Sequence, residues 1–105
     1  KREEKIPEKT YTKWLDYDRI KSGLVLRTRK AGDYLTISRS GGRKKLKDYM
    51  IDEKIPREKR DSILLLASGR EVFWVVGYRI SESCKVREDT KRVLRVQITG
   101  GNVNE

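Results

Sequence analysis

Residues 41–47 read G-G-R-K-K-L-K, and a glycine pair followed by Arg43, Lys44, Lys45 and Lys47 is a combination that can hold phosphate. Glycine lets backbone N–H groups approach a ligand closely, and the cations supply the opposing charge. The spacing of Leu46, Tyr49 and Met50 predicts an amphipathic helix from residue 43 to about 53, with Ser40 near its N-cap. On that reading the cations crowd the first turn, where the helix dipole disfavours each by roughly 0.3–1 kcal/mol, so an external anion is expected to compensate.

The charge of the whole chain points the same way. Of 105 residues, 26 are Lys or Arg and 16 are Asp or Glu, giving a net charge of +10. Between Arg27 and Lys47 there are eight cations (Arg27, Arg29, Lys30, Arg39, Arg43, Lys44, Lys45, Lys47) against Asp33 alone. Such concentration is the electrostatic footprint of a phosphate-rich partner. Arg27 and Arg29, two apart on a strand, share one face about 6–7 Å apart, close to the spacing of successive phosphates. Alternatively, one of them is held in an ion pair with Asp33 or Asp48.

Other chemistries find little support. With no histidine and Cys84 as the single cysteine, Ser-His and Cys-His nucleophiles, an internal disulfide and a thiol zinc cluster are excluded within this chain. S-G-G at 40–42 invites comparison with the SGGxDS pyrophosphatase loop of ATP-dependent synthetases, but Arg43, Lys44 and Lys45 follow in place of its Asp and Ser. The same stretch lacks the first Gly and the terminal Ser or Thr of a Walker loop. Asp52-Glu53 and Glu88-Asp89 are sequence neighbours that point apart on a helix, so solvated or capping roles are expected of them. Trp14 and Trp74 are expected as core anchors, while Tyr34 and Tyr49 lie near the basic segment. The lone Cys84 is expected to act as a small hydrophobe.

The elements that would position these residues are mostly strands. Tyr11, Lys13, Leu15 and Tyr17 alternate with Thr12, Trp14 and Asp16, predicting a first strand over about 10–17 and a turn ending at Gly23. Strands at L-V-L-R-T-R-K and D-Y-L-T-I-S-R, the latter with Leu35 and Ile37 facing one way, are expected to form a hairpin. Pro56 ends the first helix and suits the first position of a second short one. The apolar runs I-L-L-L-A-S and V-F-W-V-V-G-Y-R-I, joined by S-G-R-E, read as central strands. A last strand at K-R-V-L-R-V-Q-I-T places Leu94, Val96 and Ile98 inward and Arg95 and Gln97 outward. No apolar run approaches the roughly 20 residues of a membrane span and no stretch reads as a signal peptide, so a cytoplasmic location without membrane contact is expected. The start at Lys1 and the polar lead-in suggest a piece of a longer protein: a linker over 1–9, a domain over 10–99 and a flexible tail over 100–105.

The stretches 24–37, 41–68, 71–81 and 91–98 resemble the C-terminal domain of tRNA(Ile)-lysidine synthetase. That family is marked by L-R-x-R-x-x-G-D, matched by Leu26, Arg27, Arg29, Gly32 and Asp33. A second block is matched by Lys44, Lys45, Leu46, Lys47, Asp48, Ile51, Asp52, Lys54, Ile55, Pro56 and Arg60, and W-V-V-G-x-R-I by Trp74, Val75, Val76, Gly77, Arg79 and Ile80. The resemblance implies an α+β fold, a small assembly around a β-sandwich or mixed sheet with one or two short helices, similar to a domain of the phenylalanyl-tRNA synthetase β chain. It implies a module that grasps an isoleucine tRNA with a CAU anticodon, notably its acceptor arm. The wobble cytidine would be modified to lysidine elsewhere, in an N-terminal catalytic domain using ATP and Mg, with no cofactor in this piece. A homodimer of the full-length protein is a further possible assembly.

The expected tRNA contacts are Lys44, Lys45, Lys47 and Arg43 first, then Arg27, Arg29, Lys30 and Arg39, and then Lys54, Arg60 and Arg79, with no catalytic residue and no metal ligand. Two alternatives stand beside this reading: a stand-alone basic nucleic-acid-binding or ribosome-associated module, and a protein-interaction domain whose charge serves solubility.

Overall fold

Apolar runs at 63–67 and 72–76 demand cover on both faces, and the fold supplies it in three layers. The computed structural model describes residues 9–20 and 23–100, so the expected linker, apart from Lys9, and the tail beyond Gly100 lie outside the described residues. Strands β1 (Lys9–Asp16) and β8 (Val93–Gly100) pair antiparallel along their whole length, Leu15 opposite Leu94 and Trp14 opposite Arg95. The main sheet contains β2 (Val25–Arg27), β3 (Tyr34–Thr36), β4 (Arg43–Lys45), β5 (Leu65–Ser68), β6 (Glu71–Val75) and β7 (Arg79–Ile80). Its order is β2-β5-β6-β3-β4, with β7 on β6 and a parallel pairing between β3 and β6. Helices α1 (Leu46–Asp52) and α2 (Arg57–Arg60) complete this α+β fold.

One face of the main sheet packs Leu65, Ala67, Val72 and Val75 against Leu46, Tyr49 and Met50 of α1 and against Ile55. The other packs Leu66, Phe73 and Trp74 under the β1–β8 ribbon, against Leu15, Tyr11, Val96 and Ile98. The register slips by one residue at Leu66/Ala67, leaving Phe73 as the extra residue, so Phe73 and Trp74 can both join the ribbon side. Burying both faces is what permits continuous rather than alternating hydrophobicity.

Six expectations need correction. Residues 43–45 are strand, not helix: β3 offers an edge, and the turn at Ser38–Gly41, with Gly41 at φ 97, returns the chain along it. Ser40 therefore bonds Ser38 rather than capping a helix, and Lys45 stands at the N-cap of α1 with no side-chain cap. Pro56 occupies the N-cap of α2 rather than its first position. The β2–β3 hairpin does not form, because β2 pairs with β5 across the sheet. Trp14 is 53% exposed on the ribbon while Trp74 is fully buried, and Ile37, beyond the end of β3, is exposed where Leu35 is buried.

Candidate nucleic-acid interface

The chain leaves β2 at Arg27 and turns sharply before β3, and a single carboxylate organises that turn. Asp33, 4% exposed, accepts from Arg27 Nη1 and Nη2 at 2.9 Å each and from the Lys30 backbone N–H at 2.8 Å. Arg27 Nη2 also donates to the Gly69 carbonyl at 2.8 Å, tying the turn to the β5–β6 connection. The hydrogen bond to Asp33, outweighing burial, raises the pKa of the guanidinium above its usual value. Gly32 has φ +87, a backbone conformation that glycine adopts readily and other residues rarely, so this glycine allows the turn; the Arg70 side chain passes in ordinary contact, 3.4 Å from where a Cβ would stand.

Strand β4 runs beside this turn. Alternation puts Arg43 and Lys45 on one face with Thr36 and Tyr34 opposite them, and Lys44 on the other, where it pairs with Asp52. The Arg43 guanidinium lies over the Tyr34 ring, 4.3 Å from its centroid. Between the turn and the start of α1 opens a recess of about 590 Å³ lined by Arg29, Lys30, Gly32, Lys45, Leu46 and Lys47, with Asp33 and Asp61 at its wall. Both acids are engaged, Asp33 by Arg27 and Asp61 by Arg29 Nε at 2.8 Å. Lys30, Lys45 and Lys47 have no side-chain partner among the described residues. The result is a concave surface with apolar floor and three uncompensated ammonium groups, chemistry suited to backbone phosphate and sugar.

Four of the eleven sequence-derived residues thus converge on one recess (Arg29, Lys30, Lys45, Lys47), and Arg43 continues the stripe. Arg27 and Lys44 are held in ion pairs. Arg39 lines a different recess of about 410 Å³ with Arg19, Arg87, Glu71 and Glu82. Arg60 Nε donates to the Ile55 carbonyl at 2.9 Å, Arg79 Nε to the Ile80 carbonyl at 3.1 Å, and Lys54 follows α1 with φ 57. The Gly41 and Gly42 N–H groups are consumed inside the hairpin, bonded to the Ser38 carbonyl and hydroxyl. Arg70, in the S-G-R-E connection, carries no signal of its own in the sequence, and only the fold brings it beside Gly32. Cys84 is buried, and burial pushes its thiol up to about 12.

The model of the TilS substrate C-terminal domain family matches residues 24–98. A tRNA(Ile)-lysidine synthase from Caldanaerobacter subterraneus subsp. tengcongensis is 51% identical over 89 residues, covering 85% of this chain and 19% of that protein. Those of Clostridium tetani and Dehalococcoides mccartyi are 45% and 46% identical, over 90% and 88% of this chain and 20% of each relative. The chain therefore spans about a fifth of the length of the curated relatives it matches. Among solved structures, a crystal structure of a TILS C-terminal domain aligns with TM-score 0.66 at 28% identity, covering 88% of this chain and 72% of that one.

Proposed function

This chain belongs to the TilS substrate C-terminal domain family, and from that premise we propose that it is the tRNA-grasping module of a tRNA(Ile)-lysidine synthase. The observation that carries the reading is the recess at the 30–33 turn, where Lys30, Lys45 and Lys47 converge unpaired beside Arg29, with Arg43 over Tyr34 alongside. The recess takes phosphates of the acceptor arm, where counterion release supplies most of the affinity. The lysine transfer to the wobble cytidine, with its ATP and Mg, belongs to a catalytic domain outside this chain, and the whole enzyme works in the cytoplasm.

The chain's own residues bind and orient. Arg27, Asp33 and the Gly32 turn fix the backbone at Lys30, and the β3–β4 register sets Lys45 opposite Tyr34. The isolated chain, incubated with ATP, lysine and a CAU-anticodon isoleucine tRNA, is expected to bind the tRNA and leave the cytidine unmodified. Lysidine formation would refute the division of labour, and absence of any salt-dependent tRNA binding would refute the module itself.

A further inference from the structure

We propose that the cleft between the β1–β8 ribbon and the β6–β7 turn holds one unpaired nucleotide, its base against Tyr78 and its phosphate beside Lys13. The inference rests on the RNA-binding reading above and adds to it a second contact, distinct from the Lys30/Lys45/Lys47 recess and selective for single-stranded over double-helical RNA.

The cleft is formed by two recesses that share Lys13, Gly77 and Tyr78. One, of about 850 Å³, is lined also by Ile37, Tyr49 and Arg79; the other, of about 250 Å³, also by Tyr11 and Trp74. The turn between β6 and β7 is made by Gly77, at φ +89, where a Cβ would meet the Tyr11 ring at 3.6 Å. That turn leaves Tyr78 44% exposed, and Ile37 nearby is 38% exposed, an aromatic and an aliphatic group both open to a flat ligand. Base–aromatic stacking tolerates any sequence because every base offers a π-face.

Two further features favour a base with a single phosphate over a run of phosphates. The charge is weak: Glu82 engages Arg79, Lys85 and Arg87, and Glu53 also lines the cleft, leaving Lys13 as its one cation with no side-chain partner among the described residues. In addition, Trp74 Nε1 is the one buried side-chain nitrogen or oxygen among the described residues with no hydrogen-bond partner, and Trp74 lines the smaller recess. A buried donor left unmatched calls for an acceptor. The ring nitrogens and carbonyls of a base are acceptors of that kind, and Trp74 borders the smaller recess that would receive them.

Trp14 and Trp74 are the only tryptophans, so a Trp14→Phe chain reports on Trp74 alone. Titration with a single-stranded oligoribonucleotide of about six residues is expected to change Trp74 emission, whereas a blunt duplex of the same sequence leaves it unchanged. Tyr78→Ala, at an exposed turn, should weaken binding of the single strand roughly 5- to 150-fold, and Tyr78→Phe should restore it. With tRNA trimmed of its 3′ single-stranded nucleotides, disappearance of the Tyr78 effect assigns the nucleotide to that end and its persistence to a loop; either upholds the cleft. An unchanged affinity in Tyr78→Ala, with salt-dependent tRNA binding intact, overturns this inference alone. Failure to bind any RNA overturns it together with the reading on which it rests.

Discussion

Arg27 is the residue whose surroundings decide between two roles, phosphate contact or internal pair. Its fork onto Asp33 is nearly closed to solvent, with side chains 13% and 1% exposed. Arg27→Gln removes one partner of a buried pair and leaves Asp33 uncompensated, at about 3 kcal/mol, the low end for such breaks because Arg27 keeps an exposed edge. Thermal melting should fall by more than about 10 °C, while tRNA affinity of the folded fraction is preserved. A variant that melts normally but binds tRNA weakly would return Arg27 to the interface. At Cys84 the thiol pKa is raised to about 12, chiefly by burial. The sign is that of a raised folded-state value: the neutral thiol's contribution is full below the ordinary value of 9.0 and fades as pH climbs toward 12. Native protein at pH 8 should therefore resist thiol reagents until denaturant is added. The sequence offered Asp33 and Asp48 as equal partners for the arginines, because only the tertiary turn says which carboxylate the guanidinium reaches.

At the scale of elements, the start of α1 lacks a side-chain cap, although Asp48 in its first turn suits the dipole. Lys45 stands at the N-cap with extended backbone and no side-chain acceptor, and Lys47 lies in the first turn. Lys45→Ser should cap the helix, raising stability by about 1 kcal/mol in urea melts while lowering tRNA affinity. Loss of binding without the gain in stability would mean the cap is not formed. Strands β5, β6 and β8 were legible, the first two because both faces are buried and the last because Leu94, Val96 and Ile98 alternate with Arg95 and Gln97. Strand β4 was not, since three consecutive cations carry no apolar period and the helical spacing of Leu46, Tyr49 and Met50 extends backward without a stop signal. Similarly, β2 and β3 read as a hairpin because they are neighbours in sequence, whereas β2 pairs with β5, the far strand of the β5–β6 hairpin. After β7, the hydrogen bond from Lys85, with help from Arg79 and Arg87, holds the Glu82 carboxyl below its usual value of 4.5. A lowered carboxyl contributes stability above that value and loses it as pH falls further. Urea midpoints should drop below about pH 4.5 more steeply in the wild type than in Glu82→Gln.

Across the whole molecule, the charge excess was legible from composition and the converging recess was not. The eight cations between Arg27 and Lys47 divide once folded, with Arg27 in a nearly buried pair, Lys44 in a surface pair, Arg39 at another recess, Arg43 over the Tyr34 ring, and Arg29, Lys30, Lys45 and Lys47 together. Sequence proximity could mark the segment, but the alternation of β4 and the tightness of the Gly32 turn select its members. The central claim is that these lysines receive phosphate, and the salt dependence of tRNA affinity tests it most directly. The chain carrying Lys30→Gln, Lys45→Gln and Lys47→Gln should be titrated with isoleucine tRNA at several salt concentrations, beside an equal-charge control carrying Lys59→Gln, Lys91→Gln and Arg95→Gln. The slope of log K against log salt should shrink by about 2 in the recess variant, at roughly 0.7–0.9 for each phosphate no longer neutralised, with no fall in melting temperature and little change in the control. An unaltered slope in the recess variant, or an equal reduction in both, would contradict the account.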